Sequence, residues 1–324
     1  MPHPAIVPVG LAVGWVADQI LGDPRRGHPV AAFGRWAGGL ETRTYADREV
    51  AGAAHVGVLL GSTVLLGLLA EGVGRRRPAL RLLFTAAVTW AVLGGRSLDR
   101  EAAAIDRLLA ADDLPGARLR IRNLVGRDPR DLDAAELARA CVESLAENTS
   151  DAVVAPLVWG ALAGVPGLLG YRAVNTLDAM IGHRSRRYRR FGWAAARVDD
   201  VANWLPARLA AALTGVAAPL VSGSPNRAWA TVRRDAGRHP SPNAGVVESA
   251  FAGALDVSLG GTNVYDGRHE DRGTLGDGLQ VGPADIARTR RLARAVGVGS
   301  LVVAVAFRAV TDAGFRPPSW ASTR

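Results

Sequence analysis

Apolar residues gather along this chain into runs separated by polar, arginine-rich stretches, and the runs set the expected elements. Residues 50–70 carry no Asp, Glu or Arg and are long enough to cross a bilayer, for which about 20 residues suffice. Residues 5–22 form a second run with Asp18 near its end, and residues 79–95 a third, interrupted only by Arg81. Residues 152–170, 201–223 and 293–310 are further candidates. Each of these last three contains proline or arginine, which points to broken, tilted or re-entrant helices instead of clean spans. A soluble protein with buried core helices is the competing reading; it fails on residues 50–70, which have no polar face to turn toward water. The pattern predicts an all-α, polytopic integral membrane protein, a helical bundle of about 4–6 spanning or re-entrant helices with polar loop regions.

Between the runs, residues 97–111 and 133–148 read as amphipathic helices, with turns marked by Leu114-Pro115-Gly116 and Gly126-Arg127-Asp128-Pro129. Asp133 fits an N-cap, with Glu136 where a capping box wants it. Glu136, Glu143 and Glu147 share one face of that helix and Leu137, Cys141 and Leu145 another, so a polar stripe leads to Asn148 and Asp151. Beyond Ser222 the chain reads as loop-rich and soluble. Prolines hold His239 and Ser241 extended in His239-Pro-Ser-Pro-Asn243-Ala-Gly245. Gly260-Gly261-Thr-Asn263 and residues 266–278 read as exposed turns, and residues 283–294 as an arginine-rich helix entering the last apolar run. Neither a repeat nor a low-complexity linker divides the sequence. The expectation is a single integral-membrane domain over residues 1–324, with a site region at 140–210 and a loop-rich soluble region at 223–292.

The length of 324 residues could hold one large domain or two ordinary ones. The formal net charge is +9, and every basic residue is arginine. Without lysine there is no Walker lysine, no Schiff-base lysine and no kinase-type lysine. Any phosphate must be held by arginine forks, backbone amides or a metal. The arginines are dispersed and accompany no recognition motif, so no nucleic-acid partner is expected. Cys141 is the only cysteine, which excludes a disulfide framework and a thiolate zinc site, and the six histidines lack metal-ligand spacing. The first apolar run lacks a signal-peptide pattern and is expected to stay as an anchor. Residues 23–49 read as a loop, and its arginines and Arg75-Arg76-Arg77 flank the same run and compete for the cytosolic side, so the charge rule leaves orientation open.

Three acid-and-amide clusters stand among the apolar runs: Glu143-Ser-Leu-Ala-Glu147-Asn148-Thr-Ser-Asp151, Asn175-Thr-Leu-Asp178 and Asp199-Asp200-Val-Ala-Asn203. A charge taken out of water must be paired, protonated or bound to a metal. Three such clusters point to a cation-dependent site at a membrane surface. Asp199-Asp200-x-x-Asn203 resembles the aspartate-rich boxes that hold magnesium and diphosphate in prenyl-transfer enzymes. Capping at the start of the next apolar helix accounts for one aspartate, not for both and the asparagine. Lone histidines are usually structural, but His28 and His239 both precede proline in polar loops, which favours a site role for at least one. The basic stretch at residues 182–190 reads equally as a contact for acidic lipid headgroups or as an anion-binding rim.

Taken together, these stretches resemble the adenosylcobinamide-phosphate synthase family of cobalamin biosynthesis. The matching pieces are Leu21-Gly-Asp-Pro with His28-Pro-Val30, Asn123-Leu-Val-Gly-Arg-Asp128 and Val142-Glu-Ser-Leu-Ala-Glu-Asn-Thr149. Ala173-Val-Asn-Thr-Leu-Asp-Ala-Met180, Phe191-Gly-Trp-Ala194, Arg197-Val-Asp-Asp-Val-Ala-Asn203 and Pro206-Ala-Arg208 follow. His239-Pro-Ser-Pro-Asn-Ala-Gly245 and Leu259-Gly-Gly261 complete the set, which runs in order over about residues 11–280. Residues 263–273 depart from the pattern and carry no mapped site residue.

The resemblance implies a multi-pass inner-membrane enzyme with its site toward the cytosol. It would join the free propionate carboxylate of adenosylcobyric acid to the amine of an aminopropanol phosphate, driven by ATP. The implied partners are the corrinoid, the amino-alcohol phosphate, ATP, magnesium, the lipid bilayer and other membrane enzymes of cobalamin assembly. On this reading Asp199, Asp200 and Asn203 form a magnesium–phosphate cluster supported by Asn175 and Asp178. Glu147, Asn148 and Asp151 form a facing wall, with Glu143 or Glu147 as the base. Arg197, with Arg25 or Arg127, grips phosphate, and His28, His239 and Asn243 are contacts from the loops. A magnesium-dependent membrane prenyl- or alcohol-phosphate transferase is the alternative, and it expects a second DDxxD-like box that the sequence lacks. A proton- or cation-coupled transporter expects inverted repeats, which the sequence also lacks.

Overall fold

The computed structural model describes residues 6–24, 27–126, 128–183, 185–265 and 268–314, with the backbone alone at 262–265, 268–270 and 314. In chain order the helices begin with α1 (Ile6–Leu21), α2 (Pro29–Thr44), α3 (Glu49–Arg76), α4 (Pro78–Val92), α5 (Gly95–Ala110) and α6 (Leu114–Ile121). They continue with α7 (Ala134–Thr149), α8 (Ala155–Leu177), α9 (Tyr188–Phe191), α10 (Trp193–Ala202), α11 (Trp204–Ala217), α12 (Pro225–Asp235) and α13 (Ala244–Leu255). A small sheet of β1 (Val257–Tyr265), β2 (Arg268–Leu275) and β3 (Leu279–Gln280) precedes α14 (Ala284–Gly314). π-helical turns at Ser150–Val154 and Asp178–Gly182 follow α7 and α8.

Five helical stretches among the described residues are long and apolar enough to cross a membrane: Glu49–Arg76, Pro78–Ala110, Ala134–Gly182, Trp204–Val221 and Ala284–Ala313. The chain is thus a helical, polytopic membrane protein, as the apolar runs predict. The charge-free run lies in α3, a helix of 28 residues, about 42 Å long at 1.5 Å per residue and so longer than a hydrocarbon core of about 30 Å. Val58, Leu65, Leu66 and Leu69 along it are exposed, the arrangement a lipid-facing helix requires.

By their contacts the residues gather into two compact units: Met1–Leu93, Pro156–Ala196 and Leu301–Arg324 form the first, Gly94–Ala155 and Arg197–Ser300 the second. In the first unit α1 packs along α4, and α2, α3, α9 and the end of α8 close over Leu59, Leu177, Ile181 and Phe191. The expected break in the 152–170 run is present. At Gly164 the backbone turns to φ 62°, and a Cβ there would fall 2.0 Å from Glu71 Oε1. Pro166 lies just beyond it, and Glu71 accepts from the Val165 amide at 3.3 Å, so an acid near the end of α3 satisfies the start of the second half-helix.

The second unit is built around α7, α11 and α13. Leu137, Cys141, Leu145, Phe251 and Leu255 are buried, as are the small residues Ala207, Ala210 and Ala211 of α11, and α11 packs against α13. Asp99 of α5 stitches to α14 by accepting from Arg290 at 3.0 Å and Arg294 at 2.8 Å. Buried Asp235 ends α12 and accepts from Arg234 at 2.8 Å and the Gly276 amide at 2.9 Å, with Arg238 3.1 Å away.

Four local expectations are corrected. Residues 29–44, read as loop, form α2, whose first turn holds Pro29 and is capped by His28. Leu114-Pro-Gly opens α6 instead of making a turn, because Pro115 suits a first helical turn and Asp113 accepts from the Gly116 amide at 2.8 Å. Residues 223–292 are not loop-rich: they hold α12, α13 and the sheet. The turn signal at Gly260-Gly261 belongs to a β-bulge, with both glycines at φ near 80° (80° and 81°) and the β1–β2 register shifting between Gly260 and Thr262. Lastly, Asp199 and Asp200 lie in the last turn of α10, not at the start of the next helix. There the helix dipole opposes them, so capping explains neither.

Candidate functional site

The polar stripe of α7 is set at its start by the expected capping box: Glu136 N–H donates to Asp133 at 2.8 Å, and Asp133 N–H to Glu136 at 2.9 Å. Two turns on, Glu143 Oε1 accepts from the Gly260 amide at 2.8 Å and lies 3.2 Å from Arg139 Nη1. Arg139 also donates to the Gly260 carbonyl. Glu143 and Arg139 therefore bracket Gly260 of the bulge in β1, one through its N–H and the other through its C=O. Glu147 stands one turn further, half-buried, with Glu143 and Arg272 of β2 as its charged neighbours.

Asn148 donates through Nδ2 to the Ser144 carbonyl at 2.9 Å and to Ser144 Oγ at 3.2 Å; Ser144 in turn donates to the Leu124 carbonyl at 3.0 Å. With its nitrogen committed, Asn148 offers a ligand its carboxamide oxygen. The helix then widens into the π turn that carries Asp151 as its second residue. The other π turn begins at Asp178. Such turns insert a residue and re-aim its neighbours, and they recur at functional sites. Two of the three acidic clusters sit at one.

The third cluster lies at the junction of α10 and α11. Asn203, buried, donates through Nδ2 to Asp199 Oδ2 at 2.9 Å, and Arg197 Nη1 lies 3.8 Å from Asp200 Oδ2. Asn243 fastens this junction to the proline loop: its Nδ2 donates to the Asp200 carbonyl at 2.8 Å, and its Oδ1 accepts from Arg208 Nη1 at 2.7 Å. Arg208 also reaches the carbonyls of Trp204 at 3.0 Å and Pro242 at 3.3 Å. Both amide groups of Asn243 are thereby used to hold backbone and arginine in place.

In the same loop the His239 imidazole is buried, and its Nδ1 accepts from the Ser241 amide at 3.0 Å. The proton of the neutral ring then sits on Nε2, which faces Glu248 Oε1 at 3.7 Å. Burial, reinforced by the Arg272 charge and opposed by the backbone contact at Ser241, lowers the His239 pKa to about 4. This histidine is neutral at ordinary pH, and its accepting nitrogen is already occupied.

The remaining expected residues belong to the first unit or lie outside the described residues. Asn175 and Asp178 belong to the first unit, where Arg172 donates to Asn175 Oδ1 at 3.4 Å and the Asp178 carboxylate lies so close to Gly182 that a Cβ there would meet it at 1.9 Å. His28, also in the first unit, caps α2 through Nδ1, which accepts from the Val30 amide at 3.1 Å. Arg25 and Arg127 lie outside the described residues. Among the described residues no group of three or more His, Cys, Asp or Glu is placed to hold a metal ion. The donors at the α10–α11 junction are two carboxylates and a carboxamide. All offer hard oxygens, and that set suits magnesium, which takes one or two carboxylates and completes its shell with water and substrate phosphate.

Sequence reasoning passed over Glu248, Arg272, Arg139 and Arg208 as site residues. Glu248 left a trace, since it is the one charge in the otherwise apolar α13. The others show only once the fold places them.

A family model described as "CobD/Cbib protein" matches residues 11–293. The chain is 54% identical over 298 residues to the cobalamin biosynthesis protein CobD of Mycobacterium tuberculosis strain H37Rv, covering 92% of this chain and 94% of that protein. It is 43% identical over 305 residues to CobD of Rhodobacter capsulatus, covering 91% and 93%, and 41% identical over 295 residues to CobD of Geobacter metallireducens, covering 89% and 92%. No solved structure matches it.

Proposed function

This chain belongs to the CobD/Cbib family of cobalamin biosynthesis proteins, and from that premise we propose that it is an ATP-dependent ligase of the cytoplasmic membrane. It joins the amine of (R)-1-aminopropan-2-ol phosphate, or a related amino-alcohol phosphate, to the free propionate carboxylate of adenosylcobyric acid. The product is adenosylcobinamide phosphate.

A carboxylate oxygen is too poor a leaving group for an amine to displace. The carboxylate therefore attacks the γ-phosphorus of ATP, ADP leaves, and the resulting acyl phosphate is opened by the amine with release of inorganic phosphate. Asp199, Asp200 and Asn203 are the residues to hold magnesium and through it the nucleotide phosphates; the ion, when bound, supplies charge neutralisation there. Arg197, beside Asp200, grips anionic oxygen as the reacting phosphate changes hands. Glu147 takes the proton that the attacking ammonium must lose. Glu143 is less suited, because its carboxylate already serves the Gly260 amide and Arg139. Asn148 and Asp151 shape the wall beside Glu147, while Asn243 and Arg208 act as positioning residues for the junction. The site faces the cytosol, where ATP and corrinoid intermediates are found.

The observation that carries this reading is the α10–α11 junction: two aspartates held against the helix dipole, with a buried asparagine and a dedicated Asn243–Arg208 clamp. Stability alone gives no reason for such an arrangement. Detergent-solubilised protein supplied with adenosylcobyric acid, aminopropanol phosphate and ATP tests it. Product forms only with magnesium present, and Asp200→Asn abolishes it without loss of fold. Full activity in that variant would remove the assignment.

A further inference from the structure

The first unit carries a group of arginines that form no ion pair among the described residues. Arg43 and Arg48 lie at the corner between α2 and α3, and Arg186, Arg189 and Arg190 lie in and just before α9. The two segments are fastened together. Gly52 in the first turn of α3 abuts the Phe191 carbonyl so closely that a Cβ would sit 1.8 Å from it. Tyr45 Oη donates to the Arg187 carbonyl at 3.1 Å, and the rings of Tyr45 and Phe191 lie 5.2 Å apart. Arg187 is consumed in this joint: it pairs with Glu41 at 2.9 Å and stacks 4.0 Å over the Tyr45 ring.

The other five are exposed, and among the described residues their side chains take part in no ion pair or hydrogen bond. The acids on the same two segments, residues 41–49 and 186–191, are Glu41, already held by Arg187 and Tyr188, and the exposed Asp47 and Glu49. Five arginines against two carboxylates leave three positive charges in excess. Trp36 and Trp193, each 45% exposed, accompany them in the same unit.

We propose that this arginine patch binds the headgroups of anionic phospholipids at the level where α3 meets the bilayer surface. The position decides between lipid and a soluble anion. The patch surrounds the first turn of a spanning helix whose apolar run starts at Val50, 80% exposed. Long arginine stems there lie along hydrocarbon while their heads reach phosphate, and the part-exposed Trp193 follows Arg190 by three residues. A soluble phosphate site would need donors converging into a concavity, whereas these five lie open on separate segments.

The test uses full-length protein in phosphatidylcholine vesicles containing trace dansyl-phosphatidylglycerol or dansyl-phosphatidylcholine, read by energy transfer from tryptophan. The wild type enriches the anionic probe, and the preference collapses at high salt. Since each arginine near the surface contributes about five-fold in partition, R186Q/R189Q/R190Q lowers the preference by roughly a hundredfold, while R186K/R189K/R190K keeps it. Helix content and size-exclusion profile stay unchanged, because these side chains hold nothing in the fold. Equal enrichment of both probes by the wild type, or salt-independent enrichment, overturns the proposal without any variant. So does an unchanged preference in the glutamine variant, and so does displacement of the probe by millimolar inorganic phosphate or ATP, which would make the patch a soluble-anion site.

Discussion

Replacing Glu143 tests whether the α7 stripe braces the sheet or performs the chemistry. Its carboxylate receives the Gly260 amide at 2.8 Å and faces Arg139 at 3.2 Å, and both charged side chains are largely buried. Glu143→Ala leaves a buried amide and a buried guanidinium without their acceptor. Breaking a buried pair by removing one partner costs about 3–5 kcal/mol. For a body of this size each kcal/mol moves the unfolding midpoint by roughly 2–4 °C, so a fall of about 10 °C is expected. Glu143→Gln keeps an oxygen for Gly260 and loses only the charge, and about 1–2 kcal/mol follows. Because Arg139 pairs with Glu143 and contacts the same residue, Gly260, Arg139→Ala/Glu143→Ala should cost less than the two single losses together, by about 1–3 kcal/mol. Thermal unfolding in detergent gives the midpoints, and hydrogen exchange over residues 257–275 reports whether the sheet loosens first. An unchanged midpoint in Glu143→Ala, with exchange of β1 unaltered, would refute the bracing role.

Glu147→Gln should behave in the opposite way: kcat for amide formation falls about 10²–10⁴-fold, as for loss of a general base, while the midpoint stays close to wild type. His239 gives a pH signature. Its folded pKa of about 4 lies below the ordinary value of 6.5, so as pH falls the unfolded chain takes up the proton first. Stability is complete above pH 6.5 and declines toward pH 4, by about 3 kcal/mol in all, and a buffer series of unfolding midpoints on wild type and His239→Gln should show the decline only in the former. Orientation is testable through Thr42→Cys in a Cys141→Ala background. Six arginines (43, 48, 186, 187, 189 and 190) gather at the start of α3 against Arg75, Arg76 and Arg77 at its end, and the charge rule predicts the start inside. Impermeant maleimide should label this cysteine in inverted vesicles and not in intact cells; the reverse would place the patch outside.

What the sequence disclosed tracks what depends on local pattern. Residues 50–70 announced α3 because lipid imposes apolarity on every face, and the Asp133–Glu136 box marked the start of α7 because capping is a four-residue event. α13 left no periodic signal, since eleven of its twelve residues are buried and its alanines and glycines face neighbours all round. The glycines at 260 and 261 signalled positive φ correctly, but a bulge and a turn ask for the same residue. In the site, residue types were legible and partners were not. Asn243 and Arg208 are 35 positions apart, and Gly260 lies 117 positions from Glu143, so neither bond can be read before the chain is folded.

The most direct measurement of the central claim follows the oxygen atoms of the acid. Adenosylcobyric acid carrying ¹⁸O in both oxygens of the free propionate is incubated with the enzyme, aminopropanol phosphate, magnesium and ATP, and the inorganic phosphate released is analysed by mass. Ligation through an acyl phosphate transfers one ¹⁸O into that phosphate for every amide formed, alongside one ADP. Amide formed while all released phosphate remains unlabelled would contradict the account.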